Sequence, residues 1–516
     1  MSSADVNRRQ VLNALGIVAP LTLFSSSIQA KAEENGNCCS EIRVVDCIFS
    51  LLDPNLAICA STVLVKGYHH SGDGGGGIFI YEPTLDVSKH NGGTIVSPKF
   101  KRPNWNKEEE LKMWFGLIQS ETQGKGAWRR IYDRDLNILY FGAKRDGSDD
   151  SIAIQSALNE KKPIFFPKGT YTVFKTLHTD GFIINGESAS RSSIIEYNGD
   201  DYLFKTTGYY EDIDSQWIVA MNITFKGQYV HHTESKQSGI NFSRSNNRGD
   251  IDAKFYNCEF TNFYKALHII GRGLDVNECY FVGCKYGVYL DRLENEIEWY
   301  GDSEKIETGG RVYVIRDSRF HSMGGGGCVV NISSDNPHRQ FVRGIHFVGN
   351  YIDTDASIFL GSCSESIFSS NSHLYGPGRE GNALFKIDGK FFNNTVSSNN
   401  FSAMNRRVYS NIFFFNEDSF CKGLNFSSNN VDNINDFVIL SKGKMYDSLI
   451  SNNVFTDVAL NKDIKEASLM FFNEDTGRVL INSNIFSLST SSRFIDSISN
   501  NDKPLINGNV YNFTSR

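Results

Sequence analysis

The sequence lacks the features that mark several common classes of protein. Acidic residues outnumber basic ones by 59 to 52, which gives a formal net charge of −7. A basic excess is typical of proteins that bind nucleic acid or anionic membranes, so we expect neither partner. After residue 32 no stretch approaches the roughly 18 consecutive apolar residues that a membrane-spanning helix needs, and we expect no membrane insertion.

Proline is also scarce, at 10 residues, whereas glycine and phenylalanine are abundant, at 45 and 38. Phenylalanine, isoleucine, valine and tyrosine favour strands, and glycine and asparagine favour tight turns. With 40% apolar residues in a chain of 516, the protein can bury a large core. This composition predicts many short strands that are joined by corners in the left-handed backbone region.

Residues 1–32 have the features of a secretion signal. Arg8 and Arg9 precede a moderately apolar run, Val11 to Phe24, and the small-residue pattern Ala30-Lys31-Ala32 follows. This order predicts a twin-arginine signal peptide, and therefore a mature protein in the periplasm or outside the cell. The alternative is an amphipathic first helix of the fold.

The ten cysteines do not form a metal-binding pattern. Four of them closely follow the predicted signal: Cys38, Cys39, Cys47 and Cys59. In an oxidising compartment these four are candidates for disulfides, but their spacing does not determine which cysteines pair. Their spacing is not that of a zinc site, and the histidine pairs in the chain lack acids at ligand spacing. We expect no metal and no cofactor.

From about Ile223 onward the sequence repeats a unit made of a strand, a small polar corner, an asparagine and an apolar anchor. Successive anchors are 21 to 39 residues apart, except for one interval of 50 residues between Tyr351 and Phe401. The anchors assigned from the pattern are Phe225, Phe260, Phe281, Phe320, Tyr351, Phe401, Val431, Phe455, Phe486 and Tyr511. A loose period of this length, built on short strands, predicts an all-β fold, the right-handed parallel β-helix. A β-sandwich is the alternative, but few hairpin signals are present.

Stacked coils bring equivalent residues into columns about 4.8 Å apart. An asparagine at a corner tolerates left-handed geometry, and its amide can bond to the equivalent amide one coil away. Cys258 and Cys279 each precede an anchor by two residues. We expect them to be neighbours in one column, as a side-chain ladder rather than a disulfide.

The repeat does not cover the beginning of the chain. Residues 33–140 are predicted to form a head domain with a small mixed β unit, and residues 141–516 the β-helix. A short helix, Ile152 to Leu158, is predicted to close the end of the stack, with Ser148, Asp149 and Asp150 available as caps. The segment PIFFPKGTYTV would supply the first strand of the first coil.

Several motifs in this region resemble a known family. The segments YHHSGDGGGGIFIYEP, NGGTIV, WRRIYDRDLNILYFGAKRDGSDDSIAIQSAL and FPKGTYTV are similar to the head and first coil of bacteriophage tailspike depolymerases. Those proteins belong to the pectate-lyase-like β-helix superfamily. By motif the resemblance extends from Val63 to Val173, and beyond that it depends on the coil pattern alone.

Two departures from phage tailspikes refine the resemblance. A secretion signal is present, and the sequence ends at NVYNFTSR without an added trimerisation domain. This layout resembles tailspike-like glycosidases of the stewartan and amylovoran type, which are encoded in bacterial exopolysaccharide gene clusters. The resemblance implies an enzyme that trims its producer's own polymer and acts as a monomer.

Carboxylates are concentrated in one segment, YGVYLDRLENEIEWYGDSE, which holds six of them between Asp291 and Glu304. It begins with a strand, 286–290, and the matching strands of neighbouring coils are 266–270, 328–332 and 357–360. If these strand ends align, Asp291 and Asp335 lie in one groove. Glycosidases need two carboxylates across the scissile bond. We therefore predict catalytic residues among Asp291, Glu294, Glu296 and Asp335.

Aromatic and basic residues near this segment are candidates for substrate binding. Trp299, Tyr300 and Tyr289 are placed to stack on sugar rings, and His338 and Arg339 to bind an acidic sugar. Tyr375 and Arg379 lie in an inserted segment, of the kind that often contacts ligand. For each of these, and for the acidic run, the simpler interpretation is solvated surface.

Together these patterns predict a secreted endo-glycosidase that hydrolyses a bacterial exopolysaccharide. A polysaccharide lyase that acts on a uronic-acid polymer is a second interpretation, and it would need a lysine, arginine, histidine or tyrosine as base. A non-catalytic polysaccharide-binding or assembly factor is a third.

Overall fold

The computed structural model describes most of the chain after its first 41 residues. The described residues are 42–133, 135–187, 192–206, 217–231, 234–243, 252–270, 273–291, 298–300, 304–306, 311–323, 327–332, 342–374, 383–402, 409–458, 470–473, 476–488, 495–497 and 504–513. The predicted signal peptide, Cys38 and Cys39 lie outside them.

The described part of the chain begins with a small mixed sheet, as predicted. Its strands, in spatial order, are Arg43–Val45, Thr62–Val65, Gly77–Asp86, Lys125–Ile131 and Ile95–Val96. The first pair is parallel and the others are antiparallel. Two helices, Pro54–Cys59 and Glu108–Trp114, and two short 3-10 helices, Ile48–Leu52 and Val87–Lys89, accompany the sheet. Cys47 and Cys59 are free thiols here, so no disulfide joins them.

From Leu136 onward the strands stack as a parallel β-helix with three main sheets. Sheet A contains Leu136–Asn137, Ile164–Phe166, Phe182–Gly186, Trp217–Met221, Asp252–Tyr256, Leu274–Asn277, Arg311–Arg316, Val342–Val348, Ile367–Ser369, Thr395–Ser397, Asn425–Ser427, Lys444–Ser451, Thr476–Asn482 and Leu505–Asn507. Sheet B contains Gly169–Val173, Ser193–Tyr197, Thr224–Lys226, Glu259–Thr261, Tyr280–Val282, Arg319–His321, Tyr351–Asp353, Ser372–His373, Asn400–Ser402, Val454–Val458, Ile485–Leu488 and Val510–Phe513.

Sheet C carries the candidate site. It contains Leu177–Thr179, Tyr202–Thr206, Ser238–Ser243, Lys265–Ile270, Tyr286–Asp291, Cys328–Ile332, Ser357–Ser364, Ala383–Phe392, Tyr409–Phe415, Met470–Phe472 and Ile495–Ser497. The long strand Asn430–Ser441 turns a corner and serves both sheet B and sheet C. Phe420–Lys422 pairs with the end of Ala383–Phe392 and with the beginning of Lys444–Ser451. The predicted β-helix is therefore confirmed.

The stack begins slightly earlier than the predicted boundary. Leu136–Asn137 already pairs with Ile164–Phe166, and the segment PIFFPKGTYTV holds two strands in different sheets. The predicted closing helix is present as Ser151–Asn159, preceded by a 3-10 helix, Ile138–Phe141. Its Ile154 and Ala157 are fully buried in the common core, and Asp149 accepts the Ser151 backbone N–H at 2.9 Å.

The interior of the stack is a continuous column of large apolar side chains. Along sheet B, the rings of Phe225, Phe260, Phe281 and Phe320 are stacked with centroids 5.0, 5.0 and 4.8 Å apart. These anchors are as predicted, but Tyr351 is not one. Ile352 pairs in register with Phe320 and is buried, whereas Tyr351 is 41% exposed.

The error at Tyr351 has a simple geometric cause. In each coil the ladder asparagine and the anchor both point inward, so one outward residue must separate them in a strand. The pairs Asn399 and Phe401, and Asn484 and Phe486, follow this spacing.

A buried asparagine ladder runs beside the aromatic column, as predicted. The side-chain Nδ2 of each asparagine donates to Oδ1 of the next one at 2.9–3.1 Å. The residues of the ladder are Asn350, Asn371, Asn399, Asn429, Asn453, Asn484 and Asn509. The left-handed corner is a separate residue, which immediately precedes the ladder asparagine. Gly349, Ser370 and Ser398 take that conformation, with φ of 70°, 58° and 58°.

The earlier coils continue the same column with other residues. Cys279 donates its backbone N–H to Ser318 Oγ at 3.1 Å, and Ser318 donates its own to Asn350 Oδ1 at 3.0 Å. Cys258 and Cys279 are buried free thiols, and the residues that follow them pair in register. The predicted thiol ladder is confirmed, and there is no disulfide between them.

The acidic segment leaves sheet C after Asp291. Within it, Glu298–Tyr300 and Glu304–Ile306 pair as two antiparallel strands. No helix among the described residues is long and apolar enough to cross a bilayer.

Candidate active site

The candidate site lies on the outer face of sheet C, in four successive coils. The strands predicted to align do so: 265–270, 286–291, 328–332 and 357–364 are paired in that order. In the strand Tyr286–Asp291, Val288 and Leu290 are fully buried in the core. Strand alternation therefore turns Tyr289 and Asp291 toward the outer face.

A polar column on this face brings together residues that are far apart in the chain. Asn241, His268 and Tyr289 are register partners in three adjacent strands, and Asp291 pairs with Ile270 two residues further on. Tyr202 reaches the same place from the coil before Asn241. The solenoid thus gathers side chains that are separated by up to 89 residues.

Hydrogen bonds connect this column into one cluster centred on His268. The Tyr202 hydroxyl is 2.6 Å from His268 Nδ1, and Asn241 Nδ2 is 3.1 Å from the same nitrogen. On the other side of the ring, His268 Nε2 is 3.4 Å from Asp291 Oδ2. We call Tyr202, Asn241, His268 and Asp291 the histidine cluster.

Burial determines the ionisation of this cluster. Desolvation lowers the pKa of His268, the hydrogen bond to Asp291 opposes this, and nearby Lys265 adds to the lowering. Desolvation also raises the pKa of Tyr202 to about 12. At neutral pH the cluster therefore holds a neutral imidazole and a protonated phenol beside a carboxylate that is 24% exposed.

An aromatic surface adjoins the cluster. The Tyr289 ring meets the His268 ring edge to face at 5.0 Å, and Lys265 Nζ lies 3.5 Å from the Tyr289 centroid. Further rings continue toward the N-terminal coils at centroid distances of 5.4, 5.4 and 5.7 Å, in the order Tyr289, Tyr286, Tyr264 and Tyr229. We call these four residues the tyrosine row.

The structure places only some of the residues that the sequence predicts for the site. Asp291 and Tyr289 lie together on sheet C, beside His268. Trp299 and Tyr300 lie on the strand Glu298–Tyr300, of which only the backbone is described. The remaining predicted residues lie outside the described residues: Glu294, Glu296, Asp335, His338, Arg339, Tyr375 and Arg379.

Sequence reasoning missed His268, Tyr202, Asn241 and Lys265. His268 lies in ALHII, where a lone histidine looks like part of an apolar strand. The signal that could have found it is its position two residues before the strand end at Ile270, which corresponds to Tyr289 in the next coil.

A second histidine–carboxylate pair on sheet B provides a comparison. His321 and Asp353 are register partners, with Nδ1 and Oδ2 3.2 Å apart. The His321 side chain is 43% exposed, whereas that of His268 is 8% exposed. Asp353 and Asp291 have nearly equal exposure, 25% and 24%.

Comparison with family models identifies the two parts of the chain. Residues 60–133 match the model of a phage tail protein small four-stranded β-sheet domain. Residues 136–330 match the model described as rhamnogalacturonase A/epimerase, pectate lyase-like, and they include the whole histidine cluster. The chain is a tailspike-like β-helix protein.

Several solved structures match this tailspike-like protein at low identity and with TM-scores under 0.5. Tailspike protein 2 of an Escherichia coli O157:H7 bacteriophage matches with 13% identity and a TM-score of 0.36, over 87% of this chain and 49% of that one. This chain thus spans about half the length of that tailspike. DFA-IIIase from Arthrobacter chlorophenolicus A6 matches with 10% identity and a TM-score of 0.45, over 73% and 95% of the two chains.

The A-module of a mannuronan C-5 epimerase from Azotobacter vinelandii also matches, with 14% identity and a TM-score of 0.31, over 74% of this chain and 96% of that one. At these identities the likeness extends to the fold alone. No curated protein matches the sequence of the tailspike-like protein.

Proposed function

We propose that the tailspike-like protein is an exported, endo-acting glycoside hydrolase that cleaves a bacterial exopolysaccharide on the outer face of sheet C. The observation that carries this proposal is the placement of Asp291, a partly exposed carboxylate that accepts a hydrogen bond from His268 and lies beside the tyrosine row. A carboxylate that accepts an N–H bond suits the base or nucleophile of a glycosidase pair.

The general acid of the pair would come from the carboxylates that follow in the chain. Glu294 and Glu296 are the nearest in sequence, and Asp335 follows the strand that pairs with Tyr286–Asp291. Retaining enzymes hold their two carboxylates about 5 Å apart and inverting enzymes about 6.5–9.5 Å apart. Neighbouring coils, about 4.8 Å apart, can supply either separation.

The tyrosine row supports a carbohydrate substrate. Tyrosine rings present an apolar face to the C–H groups of a sugar and a hydroxyl that can hydrogen-bond to it. Tyr264, Tyr286 and Tyr289 are all partly exposed. A row of rings that leads to one carboxylate suits a polymer that lies along several coils and is cut internally.

The chemistry of the histidine cluster favours a second candidate, a polysaccharide lyase. A lyase removes a proton beside a uronate carboxylate and expels the sugar oxygen without water. Burial lowers the pKa of His268 and keeps a neutral imidazole beside Lys265, whose ammonium can neutralise a uronate carboxylate. The unsaturated product of a lyase absorbs ultraviolet light, whereas hydrolysis leaves ordinary reducing ends.

The deciding experiment is incubation of the full chain with the exopolysaccharide of its own host, followed by size-exclusion chromatography, mass analysis and ultraviolet absorbance. Asp291→Asn is expected to reduce cleavage by about a hundredfold or more, because a catalytic carboxylate contributes about 10²–10⁴-fold. Glu294→Gln, Glu296→Gln and Asp335→Asn are compared in parallel to find its partner.

Asp353→Asn is the matched control, because Asp353 has the same residue type, a histidine neighbour and nearly the same exposure. It should keep wild-type cleavage. Full activity of Asp291→Asn would show that the site has been placed wrongly. Binding of polymer without any loss of chain length would indicate a binding factor instead.

A further inference from the structure

The histidine cluster connects Asp291, through His268, to the half-buried hydroxyl of Tyr202, which lies two coils before His268. We propose that His268 and Tyr202 are positioning residues that fix the orientation of Asp291 for cleavage. The catalytic meaning of this inference rests on the proposed function, whereas the relay itself can be tested without turnover.

The first step of the argument is the direction of the hydrogen bonds. Asn241 approaches His268 Nδ1 with its amide nitrogen, which can only donate. Nδ1 is therefore the acceptor, and it also accepts from the Tyr202 hydroxyl at 2.6 Å. The proton of the neutral ring is then on Nε2, which donates to Asp291 Oδ2. The bonds point in one direction along the outer face of sheet C, from Tyr202 through His268 to the carboxylate.

The second step is the surroundings of the imidazole. Among the described residues, the titratable and charged groups around it are Asp201, Tyr202 and Lys205 from the coil before Asn241, Lys265 from its own strand, and Tyr289 and Asp291 from the next strand. Lys205 is paired with Asp201 at 3.3 Å. Of the two described carboxylates, Asp291 is the one that His268 contacts.

The third step is the comparison with His321 and Asp353. That pair has a similar separation, but the imidazole is far more exposed and meets its carboxylate through Nδ1. Water can replace either partner there at little cost. The His268 ring is buried, and Tyr202 and Asn241 bond to its Nδ1. The orientation of Asp291 therefore depends on protein atoms rather than on water.

Histidine titration by NMR on the full chain tests the relay directly, with the His268 signal assigned from a His268→Gln variant. Tyr202→Phe should raise the pKa of His268, because the lost hydroxyl donates to the neutral ring. Asp291→Asn should lower it, because the carboxylate favours the protonated ring. The wild-type ring should carry its proton on Nε2. An unchanged His268 titration in both variants would overturn the proposal.

Steady-state cleavage tests the positioning role. His268→Leu should lower kcat about tenfold with KM within about twofold, the effect of losing one hydrogen bond to a charged group. His268→Gln keeps a side-chain N–H and should restore part of kcat, which a merely structural role would not produce. Tyr202→Phe should lower kcat by a smaller factor, with KM again within about twofold.

His321→Leu is the control, and it should leave kcat unchanged. A kcat that stays at its wild-type value in both His268→Leu and Tyr202→Phe would contradict the positioning role. If the wild-type chain cuts no polymer, the proposed function fails, while the titration of His268 still decides whether the relay exists. Thermal melting of each variant separates these effects from loss of the fold.

Discussion

At the scale of the residue, His373 occupies a place that other coils fill with apolar side chains. It pairs in register with Ile352 on one side and Phe401 on the other, and it is fully buried. Desolvation lowers the pKa of His373 to about 3. The folded chain therefore keeps this ring neutral at pH values where the unfolded chain protonates it.

We predict an acid-sensitive contribution to stability from this residue. The free energy of unfolding that His373 contributes is complete above its unfolded pKa of about 6.5 and is lost as the pH falls toward 3. Between pH 7 and pH 4.5 the loss should be about 2–3 kcal/mol. Urea unfolding of wild type and His373→Leu at both pH values measures it.

The His373→Leu variant should lose correspondingly less stability on acidification than the wild type. His346→Leu is the control, because His346 is an exposed histidine on sheet A. Equal acid sensitivity of the wild type and His373→Leu would show that His373 is not buried as described.

At the scale of the element, the asparagine ladder holds the later coils in register. The Asn399 side chain makes four hydrogen bonds at 2.9–3.0 Å: it accepts from the backbone N–H and Nδ2 of Asn371, and donates to the Phe368 carbonyl and to Asn429 Oδ1. Asn399 is buried, whereas the next residue, Asn400, is exposed.

Asn399→Ala should therefore lower the free energy of unfolding by about 3 kcal/mol or more, because buried donors and acceptors lose their partners. Asn400→Ala is the matched control, and it should change stability by no more than about 0.5 kcal/mol. Chemical denaturation of both variants measures the difference. Similar stabilities would mean that the ladder does not restrain the coils.

The same elements explain what the sequence could and could not predict. Phe260, Phe281 and Phe320 were identifiable because each follows its polar corner at a fixed distance, and so was the strand that ends at Asp291. Tyr351 was assigned wrongly because a one-residue offset exchanges the two faces of a strand.

The histidine cluster was harder to predict for a different reason. Tyr202 and His268 are 66 residues apart, and coils of unequal length lie between them. Their contact depends on the register of three strands, which a loose period does not determine.

At the scale of the whole molecule, the proposed site can act only if the protein reaches its polymer. The twin-arginine signal remains a prediction. Replacing Arg8 and Arg9 together by lysine should leave the precursor in the cytoplasm with residues 1–32 uncleaved. Cell fractionation locates the double variant, and intact-mass measurement shows whether residues 1–32 have been removed. Arg43→Lys, beyond the predicted cleavage site, is the control. Normal export of the double variant would exclude the twin-arginine route.

The helix Ser151–Asn159, buried against the first coil, also has a consequence for the order in which the protein is built. The N-terminal end of the β-helix is synthesised first, so each later coil can pack on coils that have already folded. The coils that contain the histidine cluster are complete before the coils that contain the asparagine ladder emerge. A truncation late in the chain would thus shorten the β-helix and leave the histidine cluster intact.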